Sequence, residues 1–549
     1  MKLRKSAIVG GLILTLAAGA AVAMSAQAGA APKQTVFVGI FREGAPRNLN
    51  YIKQFESQTG KKPAMVMWYQ DWAQEFPQAD AQSVIDYGVV PHIVWEPWYW
   101  GDKEKIKLKD IISGKWDNYI RGWARSIRDW GHPIFLRPAH EFNIDGYPWG
   151  VLNNDKDPGI YVKAFRHIVD VFRNEKATNV KWVWAPMNYS FPDELWNDWE
   201  KAYPGNDYVD WVGFDGYNWG TTQSWSDWQA FKYLFRDQVR KARKLWPKKP
   251  IMVAEFAAAE KGGDKATWIK ELPSYLKTSM RDIDAIIWFD HKKETDWRIA
   301  SSERSLAAFK AIMKDPLFTG NGAQMAAFTV PQEREIKKTA VAVKACGPVK
   351  IDGKLNEWQA AVPIVMEDPS YFKEGLNWAG LADLSGKVYL MWDDKYLYLA
   401  AQVTDKLPLV NKQERQEIWN GDAIEMVLSV DPGADPRRES FERGDNQIGF
   451  GTGNGKANKP TIWSWQRRRS PTGSEIAVKK VDKPLGQVIE AKIPWEFFGT
   501  FVPQGGTKVG FDVALDDADQ SGEREKQFIW NGDYYFYKDP SGWGILEFK

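Results

Sequence analysis

Cysteine is almost missing: Cys346 is the only one in 549 residues. No intrachain disulfide can form, and stability must come from apolar cores, which a chain of this length can build. Histidine is scarce as well, with 5 residues in no zinc-ligand spacing, and no Gly-rich loop of the phosphate-binding kind follows a strand-like run. Charge of one sign is not in excess, since 73 Lys and Arg face 71 Asp and Glu. That balance removes the electrostatic case for nucleic acid or an anionic membrane, and Arg467-Arg468-Arg469 reads as a solvated loop. After the first 28 positions no segment is long and apolar enough to span a bilayer.

What is present begins at the N-terminus. Met1-Lys-Leu-Arg4-Lys5 is followed by small apolar residues from Ala7 to Met24 and then by Ser25-Ala26-Gln27-Ala28. A basic start, a short apolar region and an Ala-x-Ala site describe a secretory signal peptide over residues 1–28. A membrane anchor is the alternative, but so many Ala and Gly are marginal for spanning. A secreted or periplasmic protein is expected. Tryptophan is abundant, at 30 residues. A Trp-rich core accounts for some of them, and exposed indole faces, which stack on the C–H faces of sugar rings, account for the rest. Export and abundant Trp lean toward carbohydrate.

Strand-like apolar runs recur with amphipathic segments between them: Val36–Ile40, Met65–Trp68, Val89–Trp95, Ile134–Leu136, Val180–Trp184, Val209–Phe214, Ile251–Ala254 and Ile283–Phe289. Eight strand–helix units over residues 33–315 are the pattern of an α/β fold, the (β/α)₈ barrel. Residues 316–340 have linker composition, with Thr319-Gly-Asn-Gly-Ala and Pro331-Gln-Glu-Arg-Glu-Ile-Lys-Lys. From 341 to 549 the period changes to two, as in Tyr396-Leu-Tyr-Leu-Ala-Ala-Gln-Val and Val509-Gly-Phe-Asp-Val-Ala-Leu, which predicts an all-β sandwich domain.

The chemistry-bearing residues gather where barrel strands end. The fourth run delivers Arg137, His140, Glu141 and Asn143 within seven positions, with Trp149 close behind, and the seventh delivers Glu255. Strand C-termini meet at the mouth of a barrel, so two carboxylates there can flank one bond. Glycoside hydrolysis uses such a pair, one carboxyl protonated and one ionised. The aromatics around Glu141 favour its protonated form, which makes it the acid and Glu255 the nucleophile. Salt bridges or helix caps remain the structural alternatives for either residue.

Arg137-Pro-Ala-His140-Glu141-Phe-Asn143 with Tyr147-Pro-Trp149-Gly resembles the signature of glycoside hydrolase family 26. Trp211-Val-Gly-Phe-Asp215-Gly-Tyr217-Asn-Trp219 and Pro250-Ile-Met-Val-Ala-Glu255-Phe fit the same family, in the expected order. The resemblance implies a barrel that cleaves β-linked polysaccharide with retention, without a cofactor. It implies Glu141 as acid/base, Glu255 as nucleophile, His140 beside the acid/base and Tyr217 holding the nucleophile. It also implies Trp149 and Trp288 as sugar-stacking residues, with Trp219 and Asp290 near them. Strand three ends Trp95-Glu96-Pro-Trp98, where the family's mannanases tend to carry His after that Trp. Glu96 therefore puts mannan in doubt, favours mixed-linkage β-glucan and is itself expected to bind sugar, as are Arg137, His140 and Asn143.

The C-terminal region resembles a family 9 carbohydrate-binding module. The matching residues are Ile351-Asp-Gly-Lys-Leu-Asn-Glu-Trp358, Trp419-Asn-Gly-Asp422-Ala-Ile-Glu425, Ile493-Pro-Trp495 and Gly542-Trp-Gly-Ile-Leu. The resemblance implies two tryptophans that sandwich a sugar, assigned to Trp419 and Trp530, and a structural Ca²⁺ with Asp512, Asp516, Asp517 and Asp519 as candidate ligands. An acidic turn is the alternative for those four, and the protein is expected to be a monomer. Three further readings stay open at this stage: a non-hydrolytic polysaccharide-binding protein of the cell envelope, a β-1,3-xylan hydrolase, and a barrel enzyme whose C-terminal domain is purely structural.

Overall fold

The computed structural model describes residues 35–329, 337–375 and 378–549. The proposed signal peptide lies outside the described residues, and among these no helix is long and apolar enough to cross a membrane. Eight strands come first: β1 (Phe37–Arg42), β2 (Met65–Asp71), β3 (Val90–Glu96), β4 (Ile134–Pro138), β5 (Val180–Trp184), β6 (Trp211–Asn218), β7 (Ile251–Ala258) and β8 (Ile283–Asp290). Each is parallel to the next, and β8 returns to β1 to close the barrel. These strands read as unbroken apolar runs because a parallel barrel covers both faces: the lumen packs one side and the helix ring the other. The helix Asp117–Trp130 shows how the ring is made. Ile120, Trp123, Ala124, Ile127 and Trp130 recur at helical spacing and are buried, and Gly131 ends the helix at φ 75°.

The stretch expected to be a linker is folded over its first part. Pro316–Phe318 forms a 3₁₀ turn and Gly322–Ala326 a capped helix, with Leu317, Phe318 and Met325 buried. Phe328 meets Phe37 and Trp211 edge-on or tilted. Those apolar side chains make residues 316–329 a plug on the barrel rather than a spacer.

Among the described residues the second domain has thirteen strands: β9 (Thr339–Lys344), β10 (Ile364–Met366), β11 (Phe372–Glu374), β12 (Leu384–Trp392), β13 (Tyr396–Asp405), β14 (Ala423–Ser429), β15 (Asp445–Gly451), β16 (Thr461–Ser464), β17 (Glu475–Asp482), β18 (Leu485–Pro494), β19 (Lys508–Ala518), β20 (Arg524–Ile529) and β21 (Gly544–Phe548). The main path runs β16-β15-β14-β19-β21-β9-β12-β13-β18-β17, doubled over one apolar core. Leu397, Leu399, Ala401 and Val403 of β13 and Val509, Phe511, Val513 and Leu515 of β19 enter that core at every second position. This is the sandwich the alternation predicts. Among the described residues the two domains share one compact unit, 35–549. The helix Phe231–Leu245 carries the contact. Arg240 Nε donates to Asp533 at 2.7 Å, Lys232 Nζ to Glu374 at 2.6 Å, and Lys244 pairs with Glu439 at 2.7 Å.

Candidate active site

At the end of β4 the backbone leaves extended geometry abruptly. Ala139 and Glu141 both sit at φ 50°, a region that non-glycine residues adopt at a cost of about 1–3 kcal/mol each. Two backbone bonds fix this strap: Ala139 N–H donates to Trp95 O at 3.2 Å and Glu141 N–H to Ala185 O at 2.9 Å. The strap turns Glu141 into the barrel mouth, where its carboxyl is buried. Glu255 approaches from β7, directly beside Asp215 of β6, and the β6–β7 register shifts just before that pair. A second register break between β7 and β8 spans Glu255. Such irregularities re-aim side chains at the rim of a barrel.

One carboxylate oxygen each of Glu141, Asp215 and Glu255 lies within 4.8 Å of the others. The positive charge among them is Arg137, fully buried, which donates Nη1 to both oxygens of Asp215 at 2.7 and 2.8 Å and Nη2 to Glu255 Oε1. Tyr217 donates its hydroxyl to the other Glu255 oxygen at 2.7 Å. Glu255 is thus held by a cation on one oxygen and a phenol on the other. Glu141 lacks such a cation at contact distance. Burial first, and the nearby Glu255 charge second, raise its pKa, while Arg137, a Tyr147 hydrogen bond and Lys293 oppose the shift only in part. Glu141 is set to keep its proton while Glu255 alone has the cation in contact, the division of labour that acid–nucleophile chemistry needs. His140 is buried, and desolvation followed by the Arg137 charge lowers its pKa, so its ring stays neutral between Tyr147 and Trp149.

Glu96 ends β3 at the same mouth. Its Oε2 accepts from Trp98 Nε1 at 3.0 Å and Trp100 Nε1 at 2.6 Å, and burial raises its pKa to about 6 against those two bonds. In the second domain Trp419 lies half-buried with the Arg524 guanidinium 4.8 Å from its ring centre. Beneath it is a polar network. Gln447 and Gln527 donate to Glu425 at 2.7 and 3.1 Å, Gln527 also to Asp516 at 2.8 Å, and Arg524 reaches Asp516 at 3.2 Å.

Residues 102–272 match the model of glycosyl hydrolase family 26, and residues 351–549 that of the carbohydrate family 9 binding domain-like family. This chain carries a family 26 domain and a family 9-like domain. Endoglucanase H of Acetivibrio thermocellus is 43% identical over 268 residues, covering 47% of this chain and 28% of that protein. The chain therefore spans little more than a quarter of that relative's length. A family 9 module from Caldicellulosiruptor kristjanssonii in complex with cellotriose is 21% identical, with a TM-score of 0.30, covering 39% of this chain and 94% of that one. The catalytic domain of a Bacillus sp. JAMB-750 endo-β-1,4-mannanase is 16% identical, with a TM-score of 0.43, covering 53% and 88%.

At the barrel mouth the structure gathers Glu96, Arg137, His140, Glu141, Tyr217 and Glu255, with Trp219 half-buried near Tyr217. Four expected sugar contacts are spent elsewhere. Trp288 is 1% exposed and points out of the barrel to Phe256, Trp268 and Phe309, its Nε1 on Trp297 O. Trp149 is equally buried, its Nε1 on His140 O and its face covered by Tyr147 at 4.5 Å. Asp290 pairs with Arg42 at 2.5 Å and accepts Ile299 N–H at 2.6 Å, tying the loop after β8. Asn143 exchanges bonds with Met187 and donates to Tyr189 O, tying the loop after β5. Sequence reasoning missed Asp215, Tyr147, Tyr69 and Lys293 as site groups. Asp215 and Tyr147 lay within the quoted motifs, whereas nothing local marks Tyr69 or Lys293, which face Glu255 from β2 and the loop after β8.

In the family 9-like domain Trp530 is 6% exposed and packs on Phe511 in the core, so it offers no sugar platform. The four candidate calcium ligands do not converge. Asp512 accepts backbone N–H groups of Val513, Asn531 and Gly532, Asp516 faces Arg524, and Asp517 and Asp519 share Lys526 at 2.7 Å each. The fold instead brings Asp405, Asp422 and Asp517 within 4.8 Å of one another. Burial raises all three pKa values, to about 6, 9 and 7, and one oxygen each of Asp517 and Asp519 is buried without a partner.

Proposed function

We propose that this protein is an exported retaining endo-glycosidase acting on a β-linked polysaccharide, with a β-glucan as the leading substrate. The observation that carries this reading is the Glu141–Glu255 pair, within 4.8 Å, with the cation on Glu255 alone. Retaining glycosidases hold their carboxyls about 5–5.5 Å apart, whereas inverting ones leave room for a water. Glu141 donates its proton to the glycosidic oxygen as Glu255 attacks the anomeric carbon. The C–O bond breaks, the shortened chain leaves as an alcohol, and a glycosyl ester forms on Glu255. Glu141, now a carboxylate, takes a proton from water, which attacks the same carbon and frees Glu255. Glu96 supports a glucan, together with the name of the Acetivibrio relative. The family 9-like domain docks on saccharide at the half-buried Trp419, which the Glu425 network beneath it holds in place through Arg524. A structural divalent cation would be held by Asp405, Asp422 and Asp517, offsetting their mutual repulsion.

The test is reducing-sugar release from mixed-linkage β-glucan, mannan and β-1,3-xylan by wild type, Glu141→Gln and Glu255→Gln. Activity on one polymer, lost about 10³-fold or more in both variants with the β-anomer released first, is expected. Full activity in either variant rejects the assignment, and inert wild type on every polymer rejects the hydrolase. For the cation, chelator is expected to lower Tm and added Ca²⁺ to restore it. A Tm unmoved by either sinks that part.

A further inference from the structure

Between the barrel helix Phe231–Leu245 and the 431–439 and 531–545 segments of the second domain lies a cavity of about 1350 Å³. Among the described residues its walls carry more Lys and Arg than Asp and Glu, in a chain whose total charge is near zero. The acids are already engaged. Asp533 and Asp539 take Arg240, Glu439 takes Lys244, Asp282 takes Arg243, Asp435 takes Arg437, and Asp431 accepts Gly433 N–H.

Arg236 pairs with Asp237 and Glu374, and Arg438 with Asp445, from outside the lining, and the lysines that no described carboxylate takes sit together. Lys337 donates to Pro436 O at 2.9 Å and Lys338 to Trp530 O at 2.7 Å, both neutral carbonyls. Lys373, on the short strand β11, stands among Arg281 and Lys338, and no described carboxylate lies within ion-pair distance of it. The acid that acts most on Lys337 and Lys338 is Asp512, whose oxygens are taken by three backbone N–H groups, while the acids that act most on Lys373, Asp282 and Asp533, are paired with Arg243 and Arg240. Burial is the first cause of the lowered pKa of Lys337, Lys338 and Lys373. The second is another cation in each case: Arg438 for Lys337, Lys373 for Lys338 and Arg281 for Lys373. Solvent reaches Lys338 although protein walls surround it. A cavity that concentrates repelling, solvent-reachable cations is costly unless an anion enters, and its low-dielectric walls strengthen that attraction.

We propose that this interdomain cleft is a binding site for an anionic group, phosphate or carboxylate, borne by a saccharide or free in solution. Its volume admits a sugar bearing such a group. Lys337, Lys338 and Lys373 supply the charge, and Lys508 lies on the same wall. This site is separate from the Glu141–Glu255 mouth, so it stands whether or not the hydrolase reading does.

The experiment uses the full chain, with thermal unfolding and calorimetric titration against inorganic phosphate, oligogalacturonate and a neutral cello-oligosaccharide. Lys337→Gln/Lys373→Gln, Lys508→Gln and, outside the cleft, Lys310→Gln are the variants. Wild type and Lys310→Gln should gain Tm with at least one anion, an effect that salt weakens. The double variant should bind that anion at least 10-fold more weakly, while its Tm without ligand stays at or above wild type, because a repulsion has been removed. A response to oligogalacturonate alone identifies a carboxylate-bearing saccharide, and a response to phosphate alone identifies phosphate. If neither anion raises wild-type Tm, the proposal fails. It fails too if both the double variant and Lys508→Gln bind as tightly as wild type.

Discussion

Two glutamates of the same chemistry reach one barrel mouth, and their neighbours alone separate their roles. Glu141 must be protonated for the first step, so kcat/KM should fall as pH rises through its raised pKa, about tenfold per unit once past it. The Glu255 charge is the second cause of that shift. In Glu255→Gln the Glu141 titration should therefore move down toward the ordinary carboxylate range, read by ¹³C NMR of the labelled carboxyl. An unmoved titration would show that the two groups are not coupled. Trp288 makes the opposite case, since its indole fills the layer between barrel and helices. Trp288→Ala should cost about 3–5 kcal/mol of stability, seen in denaturant unfolding, and leave the KM of the folded fraction unchanged. A raised KM with unchanged stability would restore Trp288 to the sugar site. The glutamates were legible in the sequence because apolar runs ended at them. The tryptophans were not, because in a strand one position of parity decides between lumen and helix ring: Phe289 turns toward Tyr217 while Trp288 turns away.

The strands of the barrel were legible because burial on both faces leaves unbroken apolar runs. The loops were not, since their geometry is set by long-range bonds. Asn143 is the clearest case: it sits in a motif rich in polar groups, yet its amide is used up by the loop after β5. Asn143→Ala frees Met187 N–H and the carbonyls of Met187 and Tyr189, and should cost about 1–3 kcal/mol of stability. Hydrogen exchange should quicken in 187–190 first, and a quickening confined to the loop after β4 would contradict this anchoring. Residues 316–329 misled for a related reason. Gly, Asn and Pro punctuation reads as a spacer, but Leu317, Phe318 and Met325 are spaced so that two short turns bury them.

At the scale of the whole chain, Arg236, Arg240 and Lys244 recur every fourth residue on one helix face, a pattern that alone reads as a solvated stripe. Here that stripe meets Tyr535, Asp533, Asp539 and Glu439. Arg240→Glu would set a third acid against Asp533 and Asp539, and should split a single calorimetric unfolding peak into two while activity on a soluble polymer changes less than twofold. An undivided peak would mean that the helix face contributes little to joining the domains. The entry point of the second domain adds a mechanical consequence. Strand β9, its first, lies between β21 and β12 and runs parallel to both. If the second domain is held on an insoluble polymer while flow drags the barrel, tension arrives along β9. It must shear two ladders at once rather than peel one edge bond at a time, so the tether should yield later than the fold's exposed rims.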